Sequence, residues 1–115
     1  GTLTVSGAGP SNNETAVVAG TTITAKTSGA VAANGEFPTS ATASVVATGM
    51  ALAINSVAAL SGVVTATADG AVVTISSAIP GLVGNGLTLT EGMTNVAAVA
   101  MSGGLNGTVY TLDLA

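Results

Sequence analysis

The sequence predicts an α+β domain that is mostly antiparallel β, with roughly six to eight short strands in a sandwich-like arrangement and one amphipathic helix. Three observations lead to this prediction. Apolar and polar residues alternate over most of the 115 residues, which is typical of strands with one buried face. One stretch changes to helical spacing, and 16 glycines mark turns between the segments. A chain of this length is expected to form a single domain, residues 1–115.

The first third of the chain predicts a strand, a hairpin and a loop. Residues 2–6 alternate threonine or serine with leucine and valine, and a glycine-proline segment follows them. Residues 16–26 predict two short strands that turn at Gly20, with Ile23 as the only large inward side chain of the second strand. Residues 28–40 contain glycine, asparagine and proline and predict a flexible loop.

Apolar residues then recur at helical spacing, and they predict the one helix. Either Thr39 or Ser40 is expected to cap its start, and Gly62 is expected to end it with a positive φ. Gly49 weakens a helix, so we expect another part of the chain to approach closely there. We interpret the apolar stripe as core rather than as a groove for a partner. It comprises Val46, Met50, Ala53, Ile54, Val57 and Leu60.

The hairpin after the helix has the clearest turn signal of the chain. Residues 63–68 and 71–76 alternate on either side of Asp69-Gly70, a dipeptide that favours a two-residue type I′ turn. Residues 80–86 contain Pro-Gly and Gly-Asn-Gly and predict an irregular loop. Two further strands are expected at residues 87–90 and 96–101.

Glycine and asparagine turns at residues 102–107 lead to a last predicted strand, residues 108–114. Tyr110, Leu112 and Leu114 fall on one face of this strand and Val109 on the other. Apolar side chains on both faces suit a strand that is added to the edge of a sheet, in its own subunit or in a neighbour.

Charged residues are scarce, which limits the chemistry available to the chain. It has one lysine, five acids, no histidine and no cysteine. The chain therefore lacks the histidine that usually activates a nucleophilic hydroxyl, and it lacks the histidine and cysteine that zinc prefers as ligands. The acids lie singly on predicted turns and ends, where we interpret them as solvated surface. Asp69, Glu91 and loop carbonyls could hold calcium, although no Asp-x-Asp spacing is present. We predict no enzyme activity, no metal and no cofactor.

Composition also argues against nucleic acid and membranes as partners. A single lysine and a net charge of −4 provide no basic patch to replace the counterions of phosphates. The mean hydropathy is +0.73, yet Thr, Ser, Asn or Gly interrupts every apolar run before the ~18 residues that a membrane span needs. An alternating β-domain with threonine on its outer faces explains this hydropathy, and we predict no membrane partner.

The order of predicted elements and several short motifs resemble a structural module of tailed bacteriophages. The module is similar to the β-rich domain of Mu-like tail sheath proteins and to repeats of other virion proteins. The resemblance covers residues 1–104. It departs from the family at residues 21–24, where an aromatic is usual, and it lacks the other domains of a sheath. The matching motifs are GTLTVSG at 1–7, ALAIN at 51–55, VTA at 64–66, GAVVTI at 70–75, Gly81, Gly84-Asn85, LTL at 87–89 and SGG at 102–104.

This resemblance implies a non-enzymatic structural subunit of a phage virion, assembled in the host cytoplasm. The short chain favours a capsid decoration or cement protein that acts as a homo-oligomer, with the major capsid protein or a tail protein as a further partner. The alternatives are a tail tube, sheath or fibre-associated subunit, an extracellular filament subunit, or a glycan-binding module at a cell surface.

The scarcity of charge points independently to self-association. Proteins commonly use charged residues, especially lysine, to keep strand edges from pairing with other chains. With one lysine, this domain is expected to have edges that neighbouring copies occupy. The terminal segments and the loop at residues 28–40 are the expected contact regions. The candidate assembly residues are Phe37, Val109, Tyr110, Leu112 and Leu114.

Overall fold

The computed structural model describes residues 1–78 and 88–100. These residues form an α+β fold with eight short strands in two sheets and one α-helix, which confirms the predicted class. Two 3₁₀ helices, Ala32–Asn34 and Ala58–Leu60, flank the α-helix. The strands are β1 Thr2–Val5, β2 Thr15–Val18, β3 Thr21–Lys26, β4 Glu36–Pro38, β5 Val64–Asp69, β6 Val72–Ser77, β7 Leu89–Glu91 and β8 Val96–Val99, and the helix is α1 Ala43–Ser56.

The strands form two four-stranded sheets. The first has the order β5-β6-β1-β8 and the second the order β4-β3-β2-β7. Every neighbouring pair is antiparallel except β3 and β4, which are parallel. Burial alternates along the strands, so each sheet has one face towards the core. Threonines cover much of the outer face, as predicted; examples are Thr4, Thr65, Thr67 and Thr74.

Helix α1 packs against strands of both sheets and buries the predicted apolar stripe. Val46, Met50 and Ile54 are completely buried, which confirms that the stripe is core. Together with the inner faces of the sheets, the helix forms one hydrophobic core. No polar or charged side chain is buried among the residues that the structure describes. Close packing of these small side chains is expected to supply most of the stability of the fold.

The ends of α1 differ from the predicted ends. Thr42, rather than Thr39 or Ser40, is the N-cap residue, and its side chain makes no capping hydrogen bond. The Ser40 hydroxyl instead accepts a hydrogen bond from the Thr42 N–H at 3.1 Å, which tightens the approach to the helix. At the other end, Val57 is extended, so the helix stops before the 3₁₀ helix. Gly62 has the expected positive φ, 76°, but it follows the second 3₁₀ helix, so the prediction that it ends α1 was wrong.

Residues 28–40 do not form the simple loop that the sequence predicts. They contain a 3₁₀ helix and β4, which pairs in parallel with β3. Gly35 makes the turn between them at a φ of 77°, a conformation that a side chain would strain. An ideal Cβ on Gly49 would lie 3.4 Å from the Phe37 Cβ and 3.2 Å from the Pro38 Cδ, so β4 makes the predicted close approach to α1.

Both predicted hairpins form, but the second turn is displaced by one residue. In the first hairpin Ala19 and Gly20 both have positive φ, as a type I′ turn requires. In the second, Asp69 pairs with Val72, so the two-residue turn is Gly70-Ala71 rather than Asp69-Gly70. Only Gly70 has a positive φ there, which is the pattern of a type II′ turn with glycine first. This turn spares Asp69 the left-handed conformation, so the prediction of a type I′ turn was wrong.

Candidate functional site

In the described part of the chain, four strands lie at the ends of the two sheets. They are β5 and β8 in the first sheet and β4 and β7 in the second. An edge strand presents a row of N–H and C=O groups away from its sheet and so invites pairing with another chain. The edges differ in how other parts of the chain cover them.

The edges at β4 and β5 are covered or interrupted. β4 lies against α1 and ends in Pro38, which has no N–H to donate. Beside β5, the side-chain amide of Asn55 bonds to both backbone groups of Ala66. The Asn55 Nδ2 donates to the Ala66 carbonyl at 2.8 Å, and the Ala66 N–H donates to the Asn55 Oδ1 at 2.8 Å. A second chain could pair with β5 at Ala66 only by displacing this amide.

The β8 edge has a different character. β8 pairs with β1 in antiparallel register, and the Ser6 N–H donates to the Asn95 carbonyl at 2.9 Å. Because bonding direction alternates along such a ladder, the N–H and C=O groups of Val96 and Ala98 point away from β1. The side chain of Val99 is 59% exposed. This edge therefore combines outward backbone groups with an exposed apolar side chain.

The stretch of sequence that contains β8 carries no charged residue. The sequence from Gly92 to Leu112 contains no Asp, Glu, Lys or Arg. Glu91, at the end of β7, accepts a hydrogen bond from the Met93 N–H at 2.6 Å. The only lysine, Lys26, lies on β3, where its Nζ donates to the Asn13 Oδ1 at 2.9 Å. Charge repulsion between copies is consequently weak at this edge.

Glu14 fixes the turn that leads into β8. Its Oε1 accepts hydrogen bonds from the N–H groups of Ser11 and Thr94, both at 2.8 Å. Its Oε2 accepts a third from the Thr94 hydroxyl at 2.8 Å. These bonds, first that from the Ser11 N–H, stabilise the ionised form and lower the pKa of Glu14 below its ordinary value. Since Glu14 precedes β2 and Thr94 precedes β8, the carboxylate links the two sheets.

A wide surface depression of about 410 Å³ offers no catalytic groups. No residue that lines it is ionisable, and the one amide, Asn12, already accepts a hydrogen bond from the Thr27 N–H at 2.8 Å. The lining residues are Ala8, Pro10, Ser11, Asn12, Thr27, Thr39, Ser40 and Ala41. Such a surface can offer hydroxyl and amide contacts but no general acid or base.

The two carboxylates considered as calcium ligands belong to different sheets. Asp69 ends β5 in the first sheet, whereas Glu91 ends β7 in the second. Within residues 1–78 and 88–100, no three acids are grouped closely enough to hold a metal ion together.

Of the predicted assembly residues, only Phe37 lies in the described ranges. The prediction that Phe37 contacts a neighbouring subunit was wrong. Its side chain is 0% exposed because β4 packs it beneath α1. Phe37 is therefore part of the subunit core and presents no surface to a neighbour. The other four, Val109, Tyr110, Leu112 and Leu114, lie outside the described residues.

Two side chains with structural roles, Glu14 and Asn55, are not identified by the sequence pattern. The sequence predicts solvated surface at Glu14, whereas its carboxylate accepts three hydrogen bonds. The sequence assigns no role to Asn55, although a single amide after the apolar residues 51–54 is an unusual choice in a helix. Its position near the predicted helix end was the one available signal. Neither bonding partner could be read from the sequence.

Comparisons of the chain with protein-family models, with curated proteins and with solved structures gave no match. None of the helices in residues 1–78 and 88–100 combines the length and hydropathy needed to cross a membrane.

Proposed function

We propose that the chain is a non-enzymatic structural subunit of a phage virion, a small capsid decoration or cement protein that works as a homo-oligomer. The observation that carries this proposal is the β8 edge. It presents the backbone groups of Val96 and Ala98 outwards, exposes Val99 and has no charged neighbour from Gly92 to Leu112. A subunit that other copies cover at this edge needs no charge to protect it.

The virion part of the proposal is supported by the resemblance of residues 1–104 to a tailed-phage structural module. A repeated shell or tail presents many identical sites, so modest contacts of one subunit add up when several copies are joined. Self-association through a strand edge therefore strengthens attachment to a particle without a deep binding pocket. The partners on this proposal are other copies of the chain and a major capsid or tail protein.

Association of the purified chain tests the first half of the proposal. Sedimentation velocity at micromolar concentrations and physiological salt should detect a discrete oligomer. Val99→Lys adds a charge to the β8 edge and should weaken this association by about tenfold or more, since edge lysines oppose pairing. Leu52→Lys is the matched control, because Leu52 on α1 is also 59% exposed. A wild-type chain that remains monomeric throughout, or equal effects of the two lysines, would overturn the role of this edge.

Localisation tests the second half. An antibody against the purified chain should label particles released from cells that encode it, and gold-labelled electron microscopy should place the label on capsids. Label on tails would instead support the alternative of a tail-associated subunit. Particles that contain none of the chain would refute the virion proposal, whatever the sedimentation result.

A further inference from the structure

Asn55 occupies a position that the next strand of the sheet would otherwise take. β5 is the outermost strand of its sheet in the described part of the chain. The Asn55 amide satisfies both the N–H and the C=O of Ala66, each at 2.8 Å. A side-chain amide places an NH₂ donor beside a C=O acceptor, much as a residue of a neighbouring strand presents its N–H and its C=O. Asn55 thus imitates one residue of an added strand.

The direction of the Ala66 groups follows from the ladder on the other side of β6. Ala66 stands opposite Ile75. Ile75 uses its own N–H and C=O with Gly1, at 2.7 and 2.9 Å. In an antiparallel sheet, paired residues direct their backbone groups either towards each other or both away. The Ala66 groups therefore point outwards, and they lie near the middle of the β5 edge.

The two edges of the first sheet are consequently unequal. At β5 the side chain of Asn55, from the same subunit, bonds to the outward groups of Ala66, whereas β8 carries exposed Val99 in a stretch of sequence without charge. The distinction matters for symmetry. A contact between the same edges of two copies closes on itself, but a contact between β8 of one copy and β5 of the next leaves both outer edges open to further copies.

We propose that Asn55 excludes β5 from assembly and so keeps an oligomer that forms through β8 closed. This inference rests on the homo-oligomer of the proposed function and identifies the edge that must not take part in it. By blocking β5, Asn55 prevents the β8-to-β5 contact that would join copies into an open-ended sheet. The occupant excluded is a second copy of this chain.

Asn55→Ala tests the proposal, because it frees the Ala66 groups without adding bulk. Hydrogen exchange of the Ala66 amide should accelerate about fivefold or more, as expected for loss of one hydrogen bond. Sedimentation of wild type should give a size that reaches a plateau with concentration, whereas Asn55→Ala should give a size that keeps increasing. Asn34→Ala, at an exposed asparagine of the first 3₁₀ helix, is the matched control and should behave as wild type.

A double variant separates edge exposure from general destabilisation. Thr65 is exposed on β5, so Asn55→Ala with Thr65→Lys places a charge on the freed edge. If the free edge causes growth, the double variant should return to the wild-type size. If misfolding causes growth, the double variant should grow as the single one does, and that outcome would overturn the proposal.

The failures of the two proposals are distinguishable. A monomeric wild type refutes the homo-oligomer itself. A closed wild-type oligomer that keeps its size in Asn55→Ala, despite faster exchange at Ala66, refutes only the role of Asn55 as an edge block.

Discussion

Replacing Phe37 by alanine should destabilise the subunit itself. The side chain is 0% exposed beneath α1. A buried aromatic of this kind removes about 150 Å² or more from water, which at about 25 cal/mol per Å² corresponds to about 4 kcal/mol. Phe-to-Ala changes in cores cost about 3–5 kcal/mol. We expect about 3 kcal/mol, the lower end, because β4 is a three-residue edge strand that can relax towards the cavity.

Equilibrium urea denaturation followed by far-ultraviolet circular dichroism measures this loss. The melting temperature should fall by roughly 10–15 °C, since 1 kcal/mol shifts a domain of this size by about 4 °C. Leu52→Ala is the control, because Leu52 is 59% exposed and surface changes usually alter stability by about 0.5 kcal/mol or less. If Phe37→Ala left stability unchanged within about 1 kcal/mol but abolished association, Phe37 would be an interface residue and our assignment to the core would be refuted.

Three further predictions concern acid, the C-terminal segment and metals. Hydrogen bonds lower the pKa of Glu14 from an ordinary value of about 4.5, so the carboxylate stabilises the fold above that pH and loses this effect as the pH falls through the lowered pKa. In urea titrations, the stability advantage of wild type over Glu14→Gln should therefore shrink below about pH 4.5. A difference that stays constant with pH would contradict this prediction. Deleting residues 108–115 should weaken association in sedimentation but preserve the circular dichroism spectrum; unchanged assembly would exclude this segment as a connector. EDTA should leave the melting temperature unchanged, and a drop of several degrees would revive the calcium site.

Local sequence patterns were sufficient to locate most of the strands and the helix. Alternation located β1, β2, β3, β5 and β6, and the helical spacing of Val46, Met50 and Ile54 identified the buried face of α1. These features depend on residues that are near one another in the sequence, where side-chain periodicity and glycine conformation act directly. The sequence also indicated, through its charge content alone, that strand edges would have little protection.

Tertiary structure decided which edges are covered and which residues cover them. Phe37 looked like part of a loop, but parallel pairing of β4 with β3 places it in the core. Asn55 bonds to a residue 11 positions away, and Glu14 bonds to one 80 positions away. Such partners depend on how the sheets and the helix pack, and no local periodicity encodes them. The composition therefore predicted unprotected edges, whereas only the packing of α1 against β5 distinguished the covered edge from β8.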